Sequence, residues 1–200
     1  AVSVRESSGE KLCQNVFHIS AKCVLDPTLL LADYKNLIIP MDTYNDSLFY
    51  YRVANYSNWG NLLDYLGERL NLQVKNFNGQ KRIPFLPALK SLNYKHPTIG
   101  AWLGAIAASS FVVTDSFHTI VFAILNRKPF LVLPSVEQLM ERVISLLNLL
   151  GISDRYYSSV DEVKSTDAWL SSIDYDAVFL RLIALRKDSL GFLFDNLKIN

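Results

Sequence analysis

Short apolar runs alternate with longer helical segments from Ser47 to the end of the chain, and this alternation is the strongest constraint on the fold. The runs SLFYYRVA, LQVKNF, FVV and PFLVLP are rich in the β-branched and aromatic residues that are typical of strands. Strands that alternate with helices form βαβ units around a parallel sheet, joined by right-handed crossovers. We therefore predict a Rossmann-like parallel sheet flanked by helices over residues 47–200.

Capping residues place several helix ends. Ser57 is a good N-cap for a helix that carries four leucines on one face. Pro97 suits the first position of a helix that runs to about residue 108, with His96 at the cap. A shorter helix starts at about Thr119, and Gly151 ends a long one. The segments RIPFLP and DRYYSS are predicted to be short and extended, and the tail from SIDYD onward is predicted to be an amphipathic helix.

The first 46 residues follow a different pattern. AVSV predicts a strand, ESSGEKLCQNVF a helix, and KCVLDPTLLL a second strand that stops at Asp26-Pro27. Residues 32–46 form a polar connector with one proline. We expect residues 1–46 to be the remnant of an N-terminal domain plus a linker, because the strand-like start is abrupt.

Composition excludes several classes of partner. The chain carries 20 basic and 19 acidic residues without a run of like charges, which argues against nucleic acid. The sequence contains no stretch of eighteen uninterrupted apolar residues, so it predicts no transmembrane helix. Cys13 and Cys23 are expected to be reduced thiols, and the absence of CxxC or His/Cys ligand spacing predicts no metal site.

A polar corner follows the strand FVV, where Asp115, Ser116 and His118 precede an apolar helix. Ligands of open parallel sheets bind at the carboxyl ends of strands, and a helix start offers free N–H groups to an anion. Imidazole exchanges a proton near neutral pH, so His118 is the best acid/base candidate. The alternative is a corner that only caps its helix.

Two motifs of other enzyme classes are absent at this corner. The G-x-S-x-G elbow of hydrolases is missing, so Ser116 is a poor candidate nucleophile. The dinucleotide-binding motif G-x-G-x-x-G is missing as well. Residue chemistry alone leaves an anion or sugar site and a non-catalytic sugar- or nucleotide-binding domain both open.

The segment VVTDSFHTIVFAILNRKPFLVL resembles the central motif of the polysaccharide pyruvyl transferase family, an Asp-Ser-Phe-His corner followed by a helix and a Lys-Pro-Phe strand. SVRESSGEKLC, VLDPTLLL, HPTIGAWLGAIAASSFVV and ERVISLLNLLGISDR resemble other segments of that family in the same order. The resemblance covers about residues 2–155. It implies a two-domain fold similar to GT-B glycosyltransferases, of which residues 47–200 would form the C-terminal domain. A chain without most of the N-terminal domain is expected to be inactive alone.

The resemblance implies transfer of a pyruvyl group from phosphoenolpyruvate to sugar hydroxyls of a cell-surface or exopolysaccharide. His118 would be the general acid/base, with Asp115 orienting it or a neighbour. Arg5 would bind a donor anion, with an ion pair to Glu6 or Glu10 as the alternative. Ser116, Thr119 and His96 complete the substrate-binding candidates. Ser116 stands where many members of the family have arginine, and Thr119 stands where others have glycine. Because of these two differences, the resemblance indicates the identity of the donor less strongly than it indicates the fold.

The expected partners are phosphoenolpyruvate and a saccharide acceptor, free or lipid-linked, without any cofactor. The expected location is the cytoplasm, either dissolved or peripheral at the inner face of the membrane. A GT-B glycosyltransferase that uses a nucleotide sugar is the alternative enzyme. Arg142 matches a position of the family and is left open between a packing or ion-pair role and a ligand role, and the oligomeric state is open.

Overall fold

The computed structural model describes residues 1–53, 59–77, 80–81, 94–95, 98–134 and 140–197. In chain order its strands and longer helices are β1 (Ser3–Val4), α1 (Ser7–Phe17), β2 (Lys22–Cys23), β3 (Ser47–Tyr51), α2 (Leu62–Leu70), β4 (Gln73–Asn76), β5 (Gln80–Lys81), β6 (Tyr94–Lys95), α3 (Ile99–Ala108), β7 (Phe111–Thr114), α4 (Phe117–Leu125), β8 (Phe130–Val132), α5 (Glu141–Leu150), α6 (Val160–Ser165) and α7 (Tyr175–Asn196).

A parallel sheet with the strand order β4-β3-β7-β8 forms the centre of this fold. Alternate residues of β3, β7 and β8 enter two separate apolar clusters, as the two-residue period of a strand requires. Phe49, Val112 and Phe130 pack with α3, α4, α5 and α7 on one face. Leu48 and Val113 pack with α2, α6 and the segment around Trp169 on the other. The predicted parallel sheet flanked by helices is confirmed.

Several helix ends differ from the prediction. The cap of α3 is Thr98, whose Oγ1 accepts a hydrogen bond from the Ala101 N–H at 3.2 Å, so the prediction of His96 as the cap was wrong. His96, Pro97 and Ser57 lie outside the described residues, and α2 begins at Leu62. The prediction for Gly151 is confirmed, because this residue ends α5 with a φ of 70°, which glycine adopts without strain.

The prediction of an extended segment was wrong at DRYYSS and stays a prediction at RIPFLP. DRYYSS is not a strand: it forms a 3-10 turn over Ser153–Arg155 followed by a single bridge between Tyr156 and Val132. RIPFLP lies outside the described residues. No helix in the described ranges has both the length and the apolar character needed to cross a membrane.

The N-terminal strands β1 and β2 form their own small parallel sheet, and the connector that follows packs closely on α3. The Ile39 N–H donates to the Gly100 carbonyl at 3.0 Å. A Cβ atom at Gly104 would lie 1.8 Å from the Ile39 carbonyl oxygen, so only glycine permits this approach. Leu25 and Leu29 join the apolar cluster that contains α4. The domain boundary at residue 46 stays a prediction.

Candidate active site

Buried polar side chains fix the corner after β7. The Thr114 hydroxyl donates to the Tyr51 carbonyl at 2.7 Å and accepts from the Ser116 N–H at 3.0 Å. Asp115 Oδ1 accepts from the Val53 N–H at 2.7 Å. Tyr51 ends β3, the strand beside β7, so these bonds join the carboxyl ends of two adjacent strands. The corner is therefore held by the sheet itself.

Ser116 caps α4. Its Oγ accepts a hydrogen bond from the Thr119 N–H at 3.4 Å, and its extended backbone starts the helix two residues earlier than predicted. The side chains of Asp115 and Ser116 are both nearly inaccessible to solvent. The structure thus gives Asp115 and Ser116 scaffold contacts with backbone N–H groups.

His118 is the exposed member of this corner. It is the second residue of α4, and its ring meets the Phe117 ring edge-on, with centroids 5.5 Å apart and planes at 86°. In the described part of the chain the imidazole has no hydrogen-bond or ion-pair partner, and neither do the backbone N–H groups of Phe117 and His118. The corner therefore presents an imidazole and two helix-start N–H donors together, an arrangement suited to an anion and to proton transfer.

Thr119 points into the protein core. The residue is fully buried, and its Oγ1 has no hydrogen-bond partner within the described ranges. The structure does not bring the Thr119 side chain to the surface where His118 lies. The Thr119 side chain therefore does not stop a ligand from approaching the backbone on the solvent side, where other members of the family have glycine.

Arg5 pairs with a carboxylate that sequence analysis did not select. Its Nη1 lies 2.5 Å from Asp26 Oδ2, rather than beside Glu6 or Glu10. Asp26 also accepts from the Thr28 N–H at 3.0 Å and the Thr28 hydroxyl at 2.6 Å. Burial alone would raise the pKa of Asp26, but the bonds from Thr28 and Arg5 outweigh it and hold that pKa below its ordinary value.

The Arg5–Asp26 pair and His118 occupy equivalent places on two parallel sheets. Arg5 follows β1 and Asp26 follows the extended chain after β2, whereas His118 follows β7. The turn after Asp26 contacts α4, and the Tyr34 ring meets the Phe122 ring of that helix at 5.1 Å. Among the described residues no hydrogen bond or ion pair joins Arg5 to His118, and His96 lies outside those residues.

Two arginines flank the corner. Arg142 lies on α5 with its guanidinium carbon 5.3 Å from the centroid of the Phe117 ring. Arg52 follows β3 and stacks on Trp59 at 4.8 Å. Sequence analysis did not select Arg52, although a cation directly after a strand is a usable signal. Arg52 lies near the corner only because β3 is next to β7 in the sheet, and strand order cannot be read from one sequence.

Two open depressions lie at the β4 side of the sheet. One, of about 450 Å³, is lined by Thr43, Tyr44, Tyr50, Val74, Lys75 and Asn76. The other, of about 480 Å³, is lined by the end of α2 and the start of β4. Neither includes His118, and both are shallow. We assign no chemistry to them, because ligand sites are normally more enclosed.

Comparisons with known proteins place the chain in a family. A family model described as polysaccharide pyruvyl transferase matches residues 1–135. No curated protein matches the sequence. The solved structures similar to the chain include the glycotransferase of kitacinnamycin, with 15% identity and a TM-score of 0.44. That alignment covers 77% of this chain and 41% of the other, so the chain spans less than half of that protein's length.

Proposed function

This chain belongs to the polysaccharide pyruvyl transferase family, and we propose that it carries the acid/base half of a site that moves a pyruvyl group from phosphoenolpyruvate to a saccharide. One observation supports this most: His118 is an exposed imidazole at a helix start whose neighbours Thr114, Asp115 and Ser116 are buried and hydrogen-bonded. A residue that transfers protons must be accessible to the substrate, and the backbone that carries it must be held in a fixed position.

The proposed reaction needs three proton movements. Protonation of the methylene carbon of phosphoenolpyruvate creates a methyl group and a cationic centre at the carbon that bears the phosphate. One saccharide hydroxyl attacks that carbon and loses its proton. A second hydroxyl then displaces the phosphate and gives up its proton to it, so the phosphate leaves as hydrogen phosphate and the product is a cyclic ketal. In this scheme His118 gives the first proton and takes one from an attacking hydroxyl.

The surrounding groups suit the charges of the donor. Phosphoenolpyruvate carries a phosphate and a carboxylate, and the two N–H groups at the start of α4 together with the helix dipole favour an anion. Arg5, at the carboxyl end of β1, is proposed to contact the other anionic group. Asp26 would hold its guanidinium in place through their ion pair. Asp115 would act as a positioning residue through its bond to the backbone after β3.

We also propose a role for each of the two parts of the chain and a class of acceptor. Residues 1–46 and 47–200 would belong to the two sides of a cleft, and both sides would be needed for turnover. Ser116 and His96 remain proposed substrate contacts, whereas Thr119 is not proposed again because its side chain is fully buried. The acceptor would be a saccharide of a cell-surface polysaccharide or exopolysaccharide, free or lipid-linked, at the cytoplasmic face of the membrane.

The donor distinguishes this proposal from nucleotide-sugar chemistry. The protein at its full natural length is incubated with a saccharide acceptor and either phosphoenolpyruvate or a set of nucleotide sugars. Phosphate release and a new ketal methyl signal in the proton NMR spectrum of the saccharide are measured. We expect both signals with phosphoenolpyruvate alone. Turnover with a nucleotide sugar and none with phosphoenolpyruvate would refute the proposal.

A further inference from the structure

Arg142 is a half-buried cation beside the corner, and it has no counter-ion among the described residues. Its guanidinium lies over the ring of Phe117, the first residue of α4. Within the described residues Arg142 makes no hydrogen bond and no ion pair. A guanidinium has five N–H donors, and stacking uses its flat face while leaving the donors along its edges available.

The two ring contacts of Phe117 place this cation near His118. The guanidinium carbon lies 5.3 Å and the imidazole centroid 5.5 Å from the same Phe117 ring centroid. The distance from the Arg142 guanidinium carbon to the His118 ring centroid is therefore no greater than the sum of these two distances. Phe117 is itself almost completely buried, so it fixes both neighbours. Within the described ranges, the backbone N–H of Phe117 is one of the two donors at the helix start that have no partner.

We propose that Arg142 is a further substrate-binding residue, whose guanidinium binds the phosphate group of the donor together with the N–H groups at the start of α4. This inference rests on the proposed function for the identity of the donor. Arginine binds phosphate through paired, charge-assisted hydrogen bonds, and the Arg142 guanidinium can make them because no carboxylate among the described residues pairs with it.

Another arginine provides a matched control. Arg127 also stacks on an aromatic ring, with its guanidinium carbon 4.7 Å from the Phe179 centroid. It lies just beyond the opposite end of α4, and its Nη1 is 2.8 Å from Asp176 Oδ1. Arg127→Gln removes a stacked guanidinium as Arg142→Gln does, but far from the polar corner and with a carboxylate partner already present.

The test measures binding of inorganic phosphate by calorimetry, and the KM for phosphoenolpyruvate, with the protein at its full natural length. We expect Arg142→Gln to weaken phosphate binding and raise the KM about 10- to 100-fold, the loss of a charge-assisted contact, with kcat changed much less. Arg142→Lys should recover part of the affinity. Arg127→Gln should leave both quantities near the wild-type values.

Two outcomes separate this inference from the proposed function. If phosphoenolpyruvate turnover proceeds and Arg142→Gln changes neither phosphate binding nor KM, the inference is wrong and the proposed function stands. If phosphate binding depends on Arg142 but no pyruvyl transfer occurs, the anion site stands and the proposed function is wrong. A wild-type protein that binds no phosphate also overturns the inference.

Discussion

The polar corner after β7 and the Arg5–Asp26 corner after β1 have the same place in the fold and different supports. Both follow parallel strands at their carboxyl ends. The first rests on a sheet that is buried on both faces, and neutral hydrogen bonds hold much of it. The second rests on strands of two residues and on α1, a helix without a buried residue. Its main side-chain tie is an ion pair.

This difference separates packing from charge as a means of holding a functional group. The scaffold of the His118 corner should tolerate changes of salt, because it is packed and desolvated. The Arg5 corner should respond to both salt and pH, because its geometry depends on an ionised Asp26. Loss of the anion contact proposed for Arg5 and loss of the scaffold that holds His118 are therefore expected to occur under different conditions.

The largest stability effect is expected where the connector between the two corners crosses α3. A Cβ at Gly104 would meet the backbone oxygen of Ile39 at 1.8 Å, and backbone cannot step aside as a flexible side chain can. Gly104→Ala should destabilise the fold by about 3 kcal/mol, as overpacking does. Gly191→Ala in α7 is the control, because no atom lies within 4 Å of the added Cβ. Equal melting temperatures for the two variants would contradict the close crossing.

A smaller loss is expected when the buried member of the ion pair is neutralised. Asp26 is 3% exposed and Arg5 45% exposed in their side chains, so the change leaves a buried site with weakened bonds. Asp26→Asn should cost about 2 kcal/mol in the free energy of unfolding. Asp188→Asn, which breaks the exposed Lys22–Asp188 pair, should cost under about 1 kcal/mol. If urea unfolding shows equal costs for both variants, burial is not what strengthens the first pair.

At acid pH the fold should lose the stabilisation that ionised Asp26 provides. Its folded pKa lies below the ordinary value of 3.8, so the ionised group stabilises the fold fully above the unfolded pKa. That contribution is lost as the pH falls through the folded pKa. The difference in unfolding free energy between wild type and Asp26→Asn should therefore be constant from about pH 7 to 5 and shrink below about pH 4. A difference that grows in acid would contradict this sign.

The smallest effect is expected at the helix cap. The Ser116 Oγ accepts from the Thr119 N–H at 3.4 Å, a long bond. Ser116→Ala should cost about 0.5–1 kcal/mol, at the low end for N-caps. Thr98→Ala, at the cap of α3 with a 3.2 Å bond, is the matched comparison. A loss above about 2 kcal/mol for Ser116→Ala would show that the corner depends on more than its cap.

The sheet was predictable because each strand carries its own signal. Val112 and Val113 alternate between the two apolar clusters, and Gly151 ends its helix through a conformation that glycine favours. Helix starts were less predictable, because several residues near Pro97 could cap α3 and only the fold selects Thr98. The close crossing at Gly104 leaves no mark in the sequence beyond a glycine inside a helix.

The site was predictable only in part. His118 and Asp115 adjoin a strand end, so their position follows from local sequence. The Asp26 partner of Arg5 is 21 residues away, and the stacking of Arg142 on Phe117 spans two helices. Such pairs depend on how the chain folds back on itself. Thr119 illustrates the opposite error: its neighbour in sequence is exposed, but the helix turns its own side chain into the core.

The central claim is that His118 is the acid/base group of the site, and the most direct measurement is the phosphoenolpyruvate-dependent turnover of His118→Ala in the protein at its full natural length. Turnover should fall about 10²- to 10⁴-fold with an unchanged melting temperature, because an exposed imidazole contributes little packing. His18→Ala, which changes an exposed histidine beyond the end of α1, should retain near-normal turnover. Near-normal turnover of His118→Ala would contradict the claim, and so would a loss of activity that accompanies a large fall in melting temperature.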